Sequence, residues 1–149
     1  SLLSLHNLKK ELSESLTTLK HFSPPTPYII EIGSGRGLLS TLLALKYPSK
    51  KIISIDNDKK IKALNHSLPN LRFLSLNAFG SSLPVLLRSC SSSLVGVHLC
   101  GTLSIRFRDL SFLAKKSILV PCCLKGKLGQ RVKNKAREEG VDAYEILVE

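Results

Sequence analysis

Four side chains able to do acid–base, nucleophilic or metal chemistry close two strand-like runs. They are His98 and Cys100 in His98-Leu99-Cys100-Gly101, and Cys122 and Cys123 in Pro121-Cys122-Cys123. A histidine can take a proton from an attacking acceptor. The same four residue types suit closed tetrahedral zinc, although adjacent cysteines chelate poorly compared with C-x2-C spacing. Cysteines here can equally be small buried apolar residues at strand ends, a reading that fits Cys90 best. A covalent bond from a cysteine to a base is a further option that nothing in the sequence demands.

A second constellation lies upstream. Tyr28-Ile29-Ile30-Glu31-Ile32 reads as a buried strand running into Gly33-Ser34-Gly35-Arg36-Gly37, followed by an apolar helix from Leu38. Glycines at every second position let backbone N–H groups approach a ligand closely, and the helix start behind them supplies unpaired donors. The dinucleotide fingerprint G-x-G-x-x-G is missed, because Leu38 stands where its third glycine belongs. Glu31, two residues before the first glycine, is the other departure. A tight strand-to-helix turn without a ligand is the plainer alternative. Asp56, followed by Asn57, ends the next strand, where a carboxylate can accept from both hydroxyls of a ribose. Asp58 is the better helix cap, which leaves Asp56 free. Asn77-Ala78-Phe79 ends the third strand. Asn77 can accept through its amide oxygen, and Phe79 can stack on a base or serve as a core aromatic.

These residues need strands to carry them. Leucines at 5, 8, 12, 16 and 19 predict an N-terminal helix over 2–20 with one apolar stripe, which needs a sheet edge or a partner to pack on. Pro24, Pro25 and Pro27 then form a stiff link. Strands are expected at 28–32, 51–55, 72–76, 94–98, 117–120 and 144–148. Helices are expected at 37–46, 58–67, 82–89, for about ten residues from Ser104, and at 127–139, with a Ser-rich loop at 89–93. This alternation implies βαβ units and a parallel sheet covered on both faces. The domains expected are a helix with its Pro-rich link, 1–27, and one α/β Rossmann-like domain, 28–149. Sites in such sheets lie beyond the carboxyl ends of the strands, so the His98 and Cys122 motifs converge there.

Glu31-x-Gly33-x-Gly35-x-Gly37 resembles the first motif of class I S-adenosyl-L-methionine (SAM) dependent methyltransferases. The paired H-x-C-G and P-C-C motifs resemble a subgroup of that family, which includes tRNA 2′-O-methyltransferases acting near the acceptor stem and several methyltransferase-like proteins. The resemblance covers about 28–123, with a weaker match at Val141-Asp142-Ala143-Tyr144-Glu145. It implies SAM as cofactor, held by Glu31, Gly33, Ser34, Gly35, Gly37, Asp56, Asn57, Asn77, Ala78, Phe79 and His98. His98, Cys100, Cys122 and Cys123 would gather at its methyl-bearing end. Where the family often has Asp to meet the adenine amino group, this chain has Asn77. A full family core has a seventh strand, antiparallel to the sixth, and the chain ends before it.

The 149 residues suffice for one domain with one sizeable core. No apolar run reaches the ~20 residues of a membrane span, and no signal peptide opens the chain. Ser1 and the lack of any Met suggest that the native start has been removed, by processing or by design, and with it any targeting segment. Four cysteines without secreted-framework spacing point to a reducing compartment, inside the cell in cytoplasm or an organelle matrix. Net charge is +11, concentrated between Arg106 and Arg137, where ten Lys/Arg face one acid, Asp109. That density suggests a polyanion, RNA above all, with a solvated basic face as the alternative. The reading is a SAM-dependent methyltransferase acting on tRNA or rRNA. The runner-up is an inactive methyltransferase-like domain that binds RNA or a ribonucleoprotein.

Overall fold

Strong β-formers at Tyr28-Ile29-Ile30 and Ile52-Ile53 pair at the centre of the molecule. The computed structural model describes residues 2–59 and 68–121, together with positions 134 and 138, both helical. The expected helix at 58–67 falls largely outside the described residues. So do the basic helix at 127–139 (its positions 134 and 138 apart), the strand at 144–148, and Cys122 and Cys123. Among the described residues the elements run α1 (Leu2–His21), β1 (Tyr28–Ile32), α2 (Leu38–Lys46), β2 (Lys51–Asp56), β3 (Leu71–Ser75), α3 (Ser82–Ser89), β4 (Ser92–Leu99), α4 (Thr102–Ser111) and β5 (Lys116–Pro121). The strands form one parallel sheet in the order β3-β2-β1-β4-β5.

Alternation along the strands feeds two cores. Ile29, Ile52, Phe73, Val95 and Val97 pack with Leu39 and Leu43 of α2 and Leu19 and Phe22 at the end of α1. Ile30, Ile32, Ile55 and Leu94 pack on the opposite face with Leu83 and Leu87 of α3 and Phe107 and Leu110 of α4. A sheet buried on both faces needs apolar residues at successive positions. The run Ile29-Ile30 meets that need, both residues being fully buried.

Two expectations change. The serine tract is not all loop, since β4 begins at Ser92. Ser92 and Ser93 are buried, and the Ser93 hydroxyl pairs with that of Thr26 at 2.7 Å. The N-terminal helix forms, but of its leucine stripe Leu19 is buried and Leu8, Leu12 and Leu16 are not. Ser15, Thr18 and Phe22 are buried as well. The small Ser15 and Thr18 allow close approach there, and Thr18 folds its hydroxyl back to the Glu14 carbonyl at 2.8 Å.

The Pro-rich segment is tied down rather than loose. Lys46 Nζ, Tyr47 OH, Lys116 Nζ and Lys50 Nζ donate to the carbonyls of Leu19, Phe22, Ser23 and Thr26 at 2.5–3.0 Å. The last carbonyls of a helix lack intrahelical partners and carry partial negative charge, so cations suit them. Among the described residues no helix is long and apolar enough to cross a membrane.

Candidate functional site

Strand order reverses between β1 and β4, the place where open α/β sheets bind ligands. The glycine turn leaves β1 there. Gly33, Gly35 and Gly37 all have positive φ, but the structure requires them for different reasons. A Cβ on Gly33 would sit 2.6 Å from Leu99, and one on Gly37 would collide with the Phe73 ring, whereas one on Gly35 would meet nothing within 4 Å. The first and third glycines are packing positions. The middle one faces open space.

The turn spends its donors internally. Gly33 and Ser34 donate to the Ile55 carbonyl at 2.8 and 3.1 Å, and Gly37 to that of Ser34 at 2.8 Å. Gly35 N–H donates to Asp56 Oδ2 at 2.8 Å. Asp56 Oδ1 accepts from Asp58 N–H at 3.0 Å. Asp56 is therefore not free: it braces the glycine turn and caps its own loop, each oxygen keeping a lone pair. Ser34 Oγ is buried without a hydrogen-bond partner.

A cavity of about 230 Å3 opens beside the turn, at the carboxyl ends of β1, β2 and β3. Ile32, Ile55, Leu76, Ala78 and Leu103 give it an apolar floor, and Gly33, Asp56, Asn57, Asn77 and Phe79 complete its wall. This volume falls below the ~300–1,000 Å3 of most small-molecule pockets, which suits one nucleoside better than two. Asn77 Oδ1 accepts from Phe79 N–H at 3.0 Å, which leaves its second lone pair for a ligand. Phe79 is exposed rather than core. Arg106 of α4 donates from Nε to the Ala78 carbonyl at 2.9 Å, holding this loop against the cavity. Sequence reasoning placed Arg106 only in a basic surface.

Glu31 does not line the cavity. Its side chain projects to the other face of the sheet, where Ser40 Oγ donates to Oε2. Burial is the main cause of a carboxyl pKa raised to about 7, opposed by hydrogen bonds from the Ser40 side chain and backbone. Gly37 gives α2 no side-chain cap, and Glu31 supplies an acceptor for the helix start from the neighbouring strand.

His98 sits on the far side of the turn. It is the one non-glycine residue with positive φ (62°) among those described, at a register break between Val97 and Leu99. The break turns Leu99 into the α3/α4 core against Gly33. It turns His98 across the sheet to Glu14 of α1, where Nε2 meets Glu14 Oε2. Nothing in the leucine pattern of α1 announced Glu14. The structure thus brings Gly33, Asp56, Asn57, Asn77, Ala78 and Phe79 around one cavity, whose lining does not include His98.

Cys100, exposed, is disulfide-bonded, which runs against the reducing compartment expected from the cysteine spacing. In that state its sulfur is neither nucleophile nor metal ligand. Cys90 is a free thiol whose pKa burial pushes up, with Sγ 3.4 Å from the Leu86 carbonyl. It is a packing residue. Among the described residues no three His, Cys, Asp or Glu side chains gather as a metal site.

No protein-family model and no curated protein matches the chain. Solved structures do. An antibiotic-related methyltransferase matches at 23% identity and a TM-score of 0.47, over 74% of this chain and 61% of that one. The plantazolicin methyltransferase BpumL, solved with a pentazolic desmethylPZN analog and SAH, matches at 15% identity and a TM-score of 0.53, over 90% of this chain and 51% of that one. The chain thus spans between half and two thirds of the length of these structures. The likeness to the second is one of fold, and the chain has a Rossmann-like methyltransferase fold that includes an N-terminal helix.

Proposed function

We propose that the chain is the cofactor-binding core of a SAM-dependent methyltransferase that acts on RNA, tRNA or rRNA in particular. One observation carries the cofactor: a nucleoside-sized cavity beside the glycine turn, walled by Asp56, Asn57 and Asn77-Ala78-Phe79. The residues fit the group. Apolar Ile32, Ile55, Ala78 and Leu103 offer a floor for a base. Asp56 keeps a lone pair on each oxygen for ribose hydroxyls, and the unpartnered Ser34 Oγ and open Gly35 leave the turn receptive. SAM, when bound, supplies a methyl group on a sulfonium, transferable in line to a nucleophile. His98 takes the proton of the accepting group, and Glu31 holds α2 and the turn in place without touching the ligand. RNA as acceptor rests on the motif resemblance and on the +11 charge. The exposed Leu8, Leu12 and Leu16 of α1 are where a protein partner would rest.

Titration calorimetry with S-adenosylhomocysteine and with NAD tests the cofactor, and mass spectrometry of RNA incubated with labelled SAM tests the acceptor. Binding of S-adenosylhomocysteine but not NAD, with label in RNA, is the expected result. Tight NAD binding and no response to S-adenosylhomocysteine would sink the assignment.

A further inference from the structure

A non-glycine residue in the left-handed region costs of order 1–3 kcal/mol and persists only where its surroundings over-determine it. At His98 two contacts do so. Leu99, 2% exposed, is committed to the α3/α4 core, and the imidazole is committed to Glu14 on the opposite face. A regular strand could not satisfy both, since neighbours would alternate in the wrong phase. Glu14 is itself fixed. Its helix is anchored by buried Ser15, Thr18 and Leu19, and by Lys46 on the Leu19 carbonyl. The side chain is 15% exposed, and its Oε2 has no hydrogen-bond partner beyond the imidazole it faces.

We propose that Glu14 is a positioning residue for His98: its carboxylate holds the Nε2 proton, fixes the ring and leaves the Nδ1 lone pair as the base. This deepens the methyltransferase reading and rests on it. It also makes α1 a part of the site rather than an appendage, since the group that orients the base lies on it. A carboxylate behind an imidazole sets which ring nitrogen carries the proton and stabilises the imidazolium once the second nitrogen is protonated.

The test has a readout independent of activity. In the 15N-labelled full chain, long-range 1H–15N spectra of the imidazoles report which nitrogen is protonated, with His98 assigned by its loss in His98→Gln. The expected spectrum shows His98 in the Nε2–H form, its proton shifted downfield and protected from solvent exchange. Glu14→Ala should lose that protection. Glu14→Gln, near-isosteric and still an acceptor, should keep the Nε2–H form. In methyl transfer to an RNA pool, Glu14→Ala should lower kcat by roughly 10–100-fold with the KM for SAM unchanged, the range seen when a carboxylate behind a metal-bound histidine is removed. Glu14→Gln should recover part of the loss. His98→Ala should cost more, ~10²–10⁴, and adding Glu14→Ala to it should cost nothing further, because the two act as a unit. An identical His98 spectrum in the wild type and Glu14→Ala, with both folded by circular dichroism, overturns the proposal. A Glu14-dependent spectrum in a protein whose His98→Ala form transfers methyl at the wild-type rate supports the pairing and removes instead the role of His98 as base.

Discussion

Glu31 shows how an acid in a binding motif can serve the scaffold. Its pKa is about 7 in the folded protein, against an ordinary value of 4.5. Below about pH 4.5 it is protonated both folded and unfolded. Between there and about 7 the unfolded chain ionises first, so stability falls as pH rises, by up to about 3 kcal/mol for this group alone. Glu31→Gln should remove that fall and gain most over the wild type near pH 8. Urea midpoints at pH 5 and pH 8 for both proteins check this, and an equal pH difference in the two would show that burial of Glu31 is fully compensated. The three glycines separate in the same way. Gly35→Val should abolish S-adenosylhomocysteine binding and cost about 1–2 kcal/mol of stability from its positive φ, without a packing clash. Gly37→Ala should cost about 2–4 kcal/mol of stability, from a positive φ and the Phe73 ring together. Calorimetry paired with thermal denaturation distinguishes them, and the idea fails if Gly35→Val binds the ligand normally.

At the level of elements, the basic region is not a single surface. Arg106 braces the Ala78 loop and Lys116 caps the Ser23 carbonyl, while Arg108 pairs loosely with Asp109 in the open. If the chain binds a polyanion as proposed, the remaining Lys and Arg of 125–137 are the ones to test. Each phosphate contact on single-stranded RNA should contribute about −0.7 to the slope of log affinity against log salt. Replacing Arg131, Lys133, Lys135 and Arg137 by Ala should flatten that slope, and an unchanged slope would leave 127–139 a solvated face. The strands and the glycine turn were legible because alternating and glycine-spaced patterns act over a few residues. Ser92 and Ser93 were not, because hydroxyls read as loop unless a distant partner such as Thr26 is known. Phase misled in part in α1: leucine spacing marked a helix and the buried Leu19, but the small Ser15 and Thr18 are buried where Leu12 and Leu16 are not.

For the molecule as a whole, the order of elements and the place of the cavity could be read from sequence, because parallel α/β topology puts strand ends together whatever the loops contain. What could not be read is who holds whom across the sheet. Asp56 was expected to stand free for a ligand and instead ties down Gly35. Glu31 was expected beside the ligand and instead serves α2. Glu14 gave no sign of its role, because its partner His98 lies far along the chain. Pairings of this kind depend on the fold, and local pattern carries no trace of them. The likeness to BpumL reaches the same level, the arrangement of elements, and stops there.

The register break at His98 has an arithmetical side. Val95 and Val97 are odd-numbered and belong to one core; Leu94 is even-numbered and belongs to the other, yet so does Leu99. Position 98 is a surplus beat in a two-beat measure. Count without it, and Leu99 takes the place an even-numbered residue would have held. A saturation scan of β4 should therefore record two interleaved rhythms of tolerance that change step at one residue. Sliding the strand by one position to absorb a lost residue would silence the histidine while leaving the hydrophobic tune intact.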